Sequence, residues 1–292
     1  MKTEKFGVLI LTHGRADNVV TEKTLRRQGY TGPIYYVIDN EDEQADEYKK
    51  RYGRNVIEFD KEEWLRLTDT GDNGGNRAVV VPARNAAFEI ARGQGLDYFL
   101  ELDDDYTSFM IRYEQDGKLK GYEMKDLDAV FDSYIESLLA SNALVVAFAQ
   151  GGDFIGGLNA GFWKKRIVRK AMNAFFCRTD RPFEFYGRLN EDATMYVLLG
   201  NRGELIMTPA NVMLIQGVTQ ANAGGLTDAY LEHGTYLKSF YSVMFCPQAV
   251  KVKAMGEVAR RLHHSISWNK CAPKILNEKY RRFDKKQKEG RA

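Results

Sequence analysis

Three aspartates in succession, Asp103, Asp104 and Asp105, close the largely apolar stretch "DYFLEL" that begins at Asp97. Adjacent carboxylates repel one another, and burying one without a partner is costly. The triplet is therefore either a solvated turn or the seat of a cation. A hard divalent ion such as Mg2+ takes one or two carboxylates and leaves its other positions to water and substrate phosphates. Residues two apart on an extended chain point the same way, so Asp103 and Asp105 can share that task. A second acidic pair, Glu191–Asp192 in "NEDATMY", has the chemistry of a general base that takes a proton from an attacking hydroxyl. The same pair also suits a helix start, with Asn190 as its cap and the dipole favouring the acids. The adjacent imidazoles of His263 and His264 could ligate a metal or contact a phosphate, or could lie on the surface.

These groups need elements to position them. "FGVLILTH" (6–13) and "IYYVID" (34–39) read as buried strands, and "NVIEF" as a third. A helix-like segment runs to Gln28, and "EDEQADEYKKRY" reads as a surface helix. "TGDNGGN" (70–76) is a flexible loop. "VPARNAAFEIARGQG" predicts a helix with Pro82 in its first turn, and the aspartate-tipped strand follows it. Strands alternating with helices imply βαβ units and a mainly parallel sheet, whose ligands lie beyond the carboxyl ends of the strands. His13, Asp39 and the triplet all stand at such ends and should gather along one edge. Further on, "TSFMIRYEQDGKLKGYEM" predicts a hairpin turning at "QDGK". "KDLDAVFDSYIESLLAS" predicts an amphipathic helix, and "ALVVAFA" (143–149) a central strand.

The glycine-dense "GGDFIGGLNAG" (151–161) is either a mobile loop or a series of tight turns. "FWKKRIVRK" (162–170) mixes aromatic and basic residues, as a nucleic-acid contact or an exposed helix face does. Phe175–Tyr186 reads as core, as does Trp268, and His233 as structural or acceptor-side. No GxxxxGK[ST] loop occurs, so phosphate transfer from ATP is not suggested.

The chain of 292 residues is 44% hydrophobic and 28% charged, an ordinary globular balance. Its net charge of +2 hides an asymmetry: residues 251–292 hold 13 Lys+Arg against 4 Asp+Glu, the remainder 29 against 36. A basic end of this kind faces a polyanion or is a solvated terminus. Cys177, Cys246 and Cys271 are widely spaced, with no CxxC, so neither a disulfide framework nor a zinc knuckle is indicated. The first apolar run, "VLIL", is too short for a usual signal peptide, and no run approaches a membrane span. A reducing, cytoplasmic setting is expected.

In their order along the chain, "VLILTHGR", "VIDN", "ARNAAFEIA", "FLELDDDY" and "NEDATMY" resemble the marks of glycosyltransferases of the GT-A fold, the fourth carrying their Asp-x-Asp signature. "FFCRTDRPFEFYGRLNEDATMY", "TQANAGGLTDAYLEHGTYLKSFYSVM" and "RRLHHSISWNKCAPKI" are similar to phage-encoded TET-associated glycosyltransferases, thought to add sugars to 5-hydroxymethylpyrimidines in DNA. The resemblance implies a Rossmann-like α/β fold with a mostly parallel sheet and helices on both faces. It implies a transferase domain over residues 1–248, and a basic C-terminal extension, 249–292, contributing to the donor and DNA site. Asp105, with Asp103, would hold a Mn2+ or Mg2+ ion on the donor diphosphate. Thr12, Gly14, Arg15 and Asp39 would surround the nucleoside, with Asp103 and Asp104 beside them, and Arg84 and Asn85 would frame the nucleotide. Asp192, or else Glu191, would be the base, and His263 or His264 a C-terminal metal or phosphate contact. The first loop reads "THGR" where many relatives have Asn-Arg after an aromatic.

The implied reaction moves a sugar from a nucleotide sugar, a UDP-sugar, to the hydroxyl of 5-hydroxymethylcytosine in double-stranded DNA. A saccharide or protein hydroxyl is the alternative acceptor. A sugar-nucleotide-forming nucleotidyltransferase is a weaker rival, since it usually has a glycine-rich basic loop after the first strand. A non-enzymatic DNA-binding module is the third.

Overall fold

The computed structural model describes residues 3–72, 77–217, 227–255, 261–267, 270 and 278–280. The predicted alternation opens the fold: β1 (Phe6–Leu11), α1 (Val20–Arg27), β2 (Ile34–Asp39), α2 (Ala45–Tyr52), β3 (Val56–Phe59), α3 (Lys61–Leu67), α4 (Val81–Gly93) and β4 (Tyr98–Asp103). Pro82 stands in the first turn of α4, where its missing N–H costs no hydrogen bond. The charged helix α3 is unannounced by apolar spacing; Asp60 caps it by accepting from Glu63 N.

Next comes the predicted hairpin, β5 (Tyr106–Gln115) and β6 (Lys118–Glu123). It turns at Asp116 and Gly117, with φ of 53° and 65°, the paired positive values that match strand twist. The amphipathic helix α5 (Leu127–Ser141) follows, capped by Asp126.

"ALVVAFA" divides in two. β7 (Val145–Ala147) joins the main sheet, and β8 (Ala149–Gln150) joins a smaller one. The glycine-dense stretch resolves into tight turns at Gly151–Phe154 and Gly157–Asn159. The chain continues through α6 (Gly161–Lys165), β9 (Ile167–Val168), β10 (Ala174–Arg178), α7 (Glu191–Asn201), β11 (Ile206–Pro209), β12 (Val212–Gln216) and α8 (Thr227–Phe245). A hairpin of β13 (Val250–Met255) and β14 (Arg261–Ile266) follows, and a short 3-10 turn lies at Glu278–Tyr280.

The main sheet has eight strands in the order β3-β2-β1-β4-β10-β7-β11-β9. Parallel pairings join β3, β2, β1 and β4, and another joins β7 to β11. β10 runs against both β4 and β7, and β9 against β11, so the sheet is mostly parallel with two reversed strands. A second sheet, β6-β5-β12-β8, stands beside it.

Both faces of the main sheet are covered, as its nearly all-apolar strands require. Leu9, Leu11, Phe99 and Phe175 point into one core, closed by Phe88 and Ala91 of α4 and Met195 of α7. Val8, Ile10, Leu100, Leu102 and Phe176 point into the other, closed by Leu25 of α1 and Phe131 and Leu138 of α5. Each such large apolar side chain contributes about 1.5–3 kcal/mol on burial. Phe175, Phe183 and Phe185 are core residues, as expected. Ala249 and Val250, which lead into the C-terminal hairpin, are buried in the first core.

β1 and β4 are in register up to Leu11 opposite Asp103, and Leu11 also faces Val37 of β2. The carboxyl ends of three strands therefore finish level, which places Thr12, His13, Asp39 and the aspartate triplet along one edge. Residues 73–76 of the predicted loop, Trp268, the His233 side chain and the basic end at 281–292 lie outside the described residues.

Candidate active site

The three aspartates divide their labour. Asp104 turns inward, accepting from Thr12 Oγ1 and from Arg15 Nη1, both at 2.7 Å. Tyr48 Oη meets Thr12 Oγ1 at 2.7 Å and accepts from Arg15 N at 2.9 Å. Asp104 thus fastens the first loop to the end of β4. Gly14, at φ 65°, donates its N–H to Asp42 at 2.8 Å.

Asp39 is nearly saturated. His13 Nδ1 lies 2.9 Å from Oδ2, Lys61 Nζ lies 3.3 Å from both oxygens, and Glu41 N donates to Oδ1. Burial acts to raise this carboxyl, but His13 and Lys61 outweigh it and hold it below its usual value. The His13 ring keeps more than half its surface open to the cleft.

Behind this edge sits Arg84, buried beside two rings, Phe175 at 5.4 Å and Phe185 at 5.8 Å. Each guanidinium nitrogen takes a different carboxylate: Nε takes Glu191 at 2.8 Å, Nη1 takes Glu101 at 2.7 Å, and Nη2 takes Asp103 at 3.0 Å. A planar fork is the cation that satisfies three acids in one plane. Burial would lower the Arg84 value, but its three acids hold it well above the ordinary one. Burial pushes Glu101 up to about 7, and its Oε2 has no hydrogen-bond partner. Asn85 spends its amide on Thr68 Oγ1 and Phe185 O, and its carbonyl on Phe185 N. It therefore ties the loop before α7 to α4.

Asp105 faces outward. Gln216 Nε2 donates to its two oxygens at 3.1 and 3.2 Å, and no lysine or arginine forms an ion pair with it among the described residues. Burial and the neighbouring Asp103 push it up to about 6. Asn173 supports both ends of the motif. Its carbonyl accepts from Tyr106 Oη at 2.5 Å, and that hydroxyl lies 3.2 Å from Asp103 Oδ2. Its amide reaches Gln216 Oε1 at 3.4 Å. The residues fit a divalent ion, because crowded carboxylates without a full cationic partner are what such an ion relieves. No cluster of three or more His, Cys, Asp or Glu forms a ready-made cage among the described residues. The donor set suits an ion that shares its shell with water and phosphates.

Glu191 and Asp192 open α7 as expected, but the cap works differently. Asn190 is left-handed, at φ 60°, and its side chain makes no capping bond. Its amide instead reaches Ser242 Oγ of α8 at 2.5 Å and His264 Nδ1 of β14 at 3.1 Å. Asp192 is buried and accepts from Ala193 N at 2.6 Å. Burial and Glu191 push it up to about 6 against the pull of Lys238 and Arg84. Burial also drives His264 down to about 4, so it is a neutral imidazole at pH 7; the His263 ring lies 5.1 Å away. The hairpin thus delivers the histidine pair to the Glu191–Asp192 end of the site.

Sequence reading missed Glu101, Tyr48, Asp42, Lys61, Asn173 and Gln216. Only Glu101 left a signal, as a lone acid between Leu100 and Leu102 in an otherwise buried strand, which calls for a buried cation.

No helix among the described residues is long and apolar enough to cross a membrane. No curated protein matches the chain. Among solved structures it is similar to glucosyl-3-phosphoglycerate synthase from Mycobacterium tuberculosis in complex with Mg2+ and uridine diphosphate, at 9% identity and a TM-score of 0.45, over 90% of this chain and 87% of that one. It is similar to S. aureus TarS at 15% and 0.39, over 72% and 36%. It is similar to the galactosyltransferase LgtC, in complex with donor and acceptor sugar analogues, at 12% and 0.34, over 60% and 58%. Residues 6–225, most of the chain, match the family description TET-associated glycosyltransferase. The ordered marks from the first strand to the Glu-Asp pair lie within that span, and the chain belongs to the TET-associated glycosyltransferase family.

Proposed function

We propose that the protein transfers a sugar from a nucleotide sugar, a UDP-sugar, to the hydroxyl of 5-hydroxymethylcytosine in double-stranded phage DNA, in the host cytoplasm and with Mn2+ or Mg2+. One observation carries the reading. Asp192 lies buried at the head of α7 beside Glu191, and Glu191 shares Arg84 with Asp103 of the motif strand. The acid beside the candidate base and a donor-side carboxylate therefore meet across one guanidinium.

Glu191 is engaged by that guanidinium, which leaves Asp192 as the base. With its value raised to about 6, Asp192 is ionised at pH 7 and still basic enough to take the proton of an attacking hydroxyl, a contribution of about 10²–10⁴-fold. Attack in line with the departing diphosphate inverts the anomeric centre. Asp105 and Asp103 would hold the divalent ion, with His264 or His263 as a further contact. When bound, that ion supplies Lewis-acid neutralisation of charge on the leaving diphosphate. Thr12, Gly14, Arg15, Asp39 and Asp104 line the nucleoside side, and Arg84 and Asn85 frame it from behind. Residues 1–248 form the transferase domain, and residues 249–292 bring the histidines and basic charge to the donor and DNA side.

The test is a transfer assay with purified protein, Mn2+ and a panel of UDP-sugars. The acceptors are matched duplexes with cytosine or 5-hydroxymethylcytosine, read by intact mass. A hexose-sized gain on the hydroxymethylated duplex alone is the expected result. Metal-dependent hydrolysis of a UDP-sugar with no gain on DNA would discard the DNA acceptor in favour of a saccharide or protein hydroxyl.

A further inference from the structure

Between β7 and β10 the chain builds a small lobe, in which Ala149, Phe154, Ala160 and Trp163 share a core with Ala210, just before β12, and Met213 within it. Phe154 meets Phe162 at 5.5 Å and Trp163 at 6.5 Å, which packs the Gly151–Phe154 turn onto α6. Lys170 pairs with Asp153 at 2.5 Å, and Ala210 N donates to Arg166 O at 2.7 Å, so both flanks are pinned.

Its outer surface presents two further features. Ile155 is 82% exposed, at a tip followed by Gly156 and Gly157. Lys164, Lys165 and Arg166 form an exposed basic run, and none of them ion-pairs with an acid among the described residues. From Phe154 to Asn173 the sequence contains no acid at all. The Arg166 guanidinium lies 3.9 Å above the Trp163 ring, so this cation is held in place. The lobe also leads into the site. Asn173, three residues past Lys170, holds Tyr106 beside Asp103.

The C5 substituent of a stacked cytosine projects into the major groove, whereas Asp192 is buried at the head of α7. Enzymes that do chemistry on a base take it out of the stack. Proteins that unstack DNA insert an apolar wedge between base steps while cations hold the backbone. We propose that this lobe grips the acceptor duplex, with Lys164, Lys165 and Arg166 on phosphates and Ile155 inserted between base pairs, so that the target base reaches Asp192. The inference rests on the DNA-acceptor reading above. Closely spaced cations with no neighbouring acid match a phosphate backbone.

The test uses the full chain. Binding to a 5-hydroxymethylcytosine duplex is followed by anisotropy at 50 and 200 mM salt, and unstacking by 2-aminopurine fluorescence beside the target. Transfer is compared on duplex and single strand, with UDP-sugar hydrolysis and thermal midpoint as controls. Ile155→Ala should bind duplex within a few-fold of wild type and lose the 2-aminopurine rise and at least tenfold of duplex transfer. It should keep single-strand transfer, donor hydrolysis and the midpoint. The triple variant Lys164→Ala, Lys165→Ala, Arg166→Ala should flatten the salt dependence by about 0.9 per lost phosphate contact, so that wild-type affinity falls about 40-fold more than the variant's between the two salts. Wild-type transfer to duplex, matched by both variants, would overturn the lobe assignment alone. Donor hydrolysis with neither binding nor transfer to DNA would remove the acceptor reading and the lobe assignment together.

Discussion

Arg84 Nε lies 2.8 Å from Glu191 Oε1, while Nη2 of the same side chain lies 3.0 Å from Asp103 Oδ1. One buried guanidinium thus joins the head of α7 to the motif end of β4, and it engages Glu191 and not the adjacent Asp192.

Asp192→Asn should reduce transfer by about 10²–10⁴-fold with little change in UDP affinity, since it removes proton transfer and leaves the donor side intact. Glu191→Gln should keep measurable chemistry and lose stability instead, because it weakens a buried charged bond. Single-turnover rates set beside urea denaturation distinguish the two, and an Asp192→Asn enzyme at wild-type rate would move the base elsewhere.

For pH, the two observables run in opposite directions. Asp192 must be ionised to act, so kcat/KM should rise through about pH 6. Its folded value lies above the unfolded value of about 3.9. The native state therefore holds a proton that the unfolded chain has lost, and the stability this gives is present below about pH 4 and gone above about pH 6. Asp192→Asn should accordingly gain about 2–3 kcal/mol on wild type between pH 4 and 7, as two pKa units imply. Denaturant titrations at the two pH values measure the difference.

Arg84→Lys places a point charge where a three-way fork stands, and at least one of Glu101, Asp103 and Glu191 loses its partner. Breaking a buried ion pair in this way costs about 3–5 kcal/mol. A large drop in the thermal midpoint is expected, and an unchanged midpoint would contradict the placement of the three acids around this side chain.

Gln216→Ala removes the amide that orients Asp105 and should weaken Mn2+ binding several-fold while leaving the midpoint near wild type. Mn2+ titration by electron paramagnetic resonance reads this directly. Asp105→Ala should abolish metal-dependent transfer and leave DNA binding in place; intact transfer would refute the metal assignment.

Much of the frame was legible because it is local. The β1–β4 alternation, the Pro82 helix start and the Asp116–Gly117 turn each follow from a few neighbouring residues. The strand ends Asp39 and Asp103 were readable as one edge for the same reason. What the sequence hid is pairwise and long-range. Nothing in "DDD" says that Asp104 is taken by Thr12 and Arg15, or that Asp105 faces Gln216, 111 residues on. Nothing in "NED" marks Glu191 as engaged by an arginine 107 residues earlier. "ALVVAFA" reads as one strand because its residues are uniformly apolar, yet its pairing passes from β11 to β12 around Phe148.

The Arg84 cluster also bears on the order in which the protein is made. Glu101 and Asp103 leave the ribosome with the first half of the chain, whereas Glu191 follows later. At about 5–20 residues per second the interval lasts roughly 5–20 s. Throughout it, the nascent chain carries an arginine and two of its acids with no α7 to lock against. The Arg84 cluster cannot be completed before Glu191 has been made.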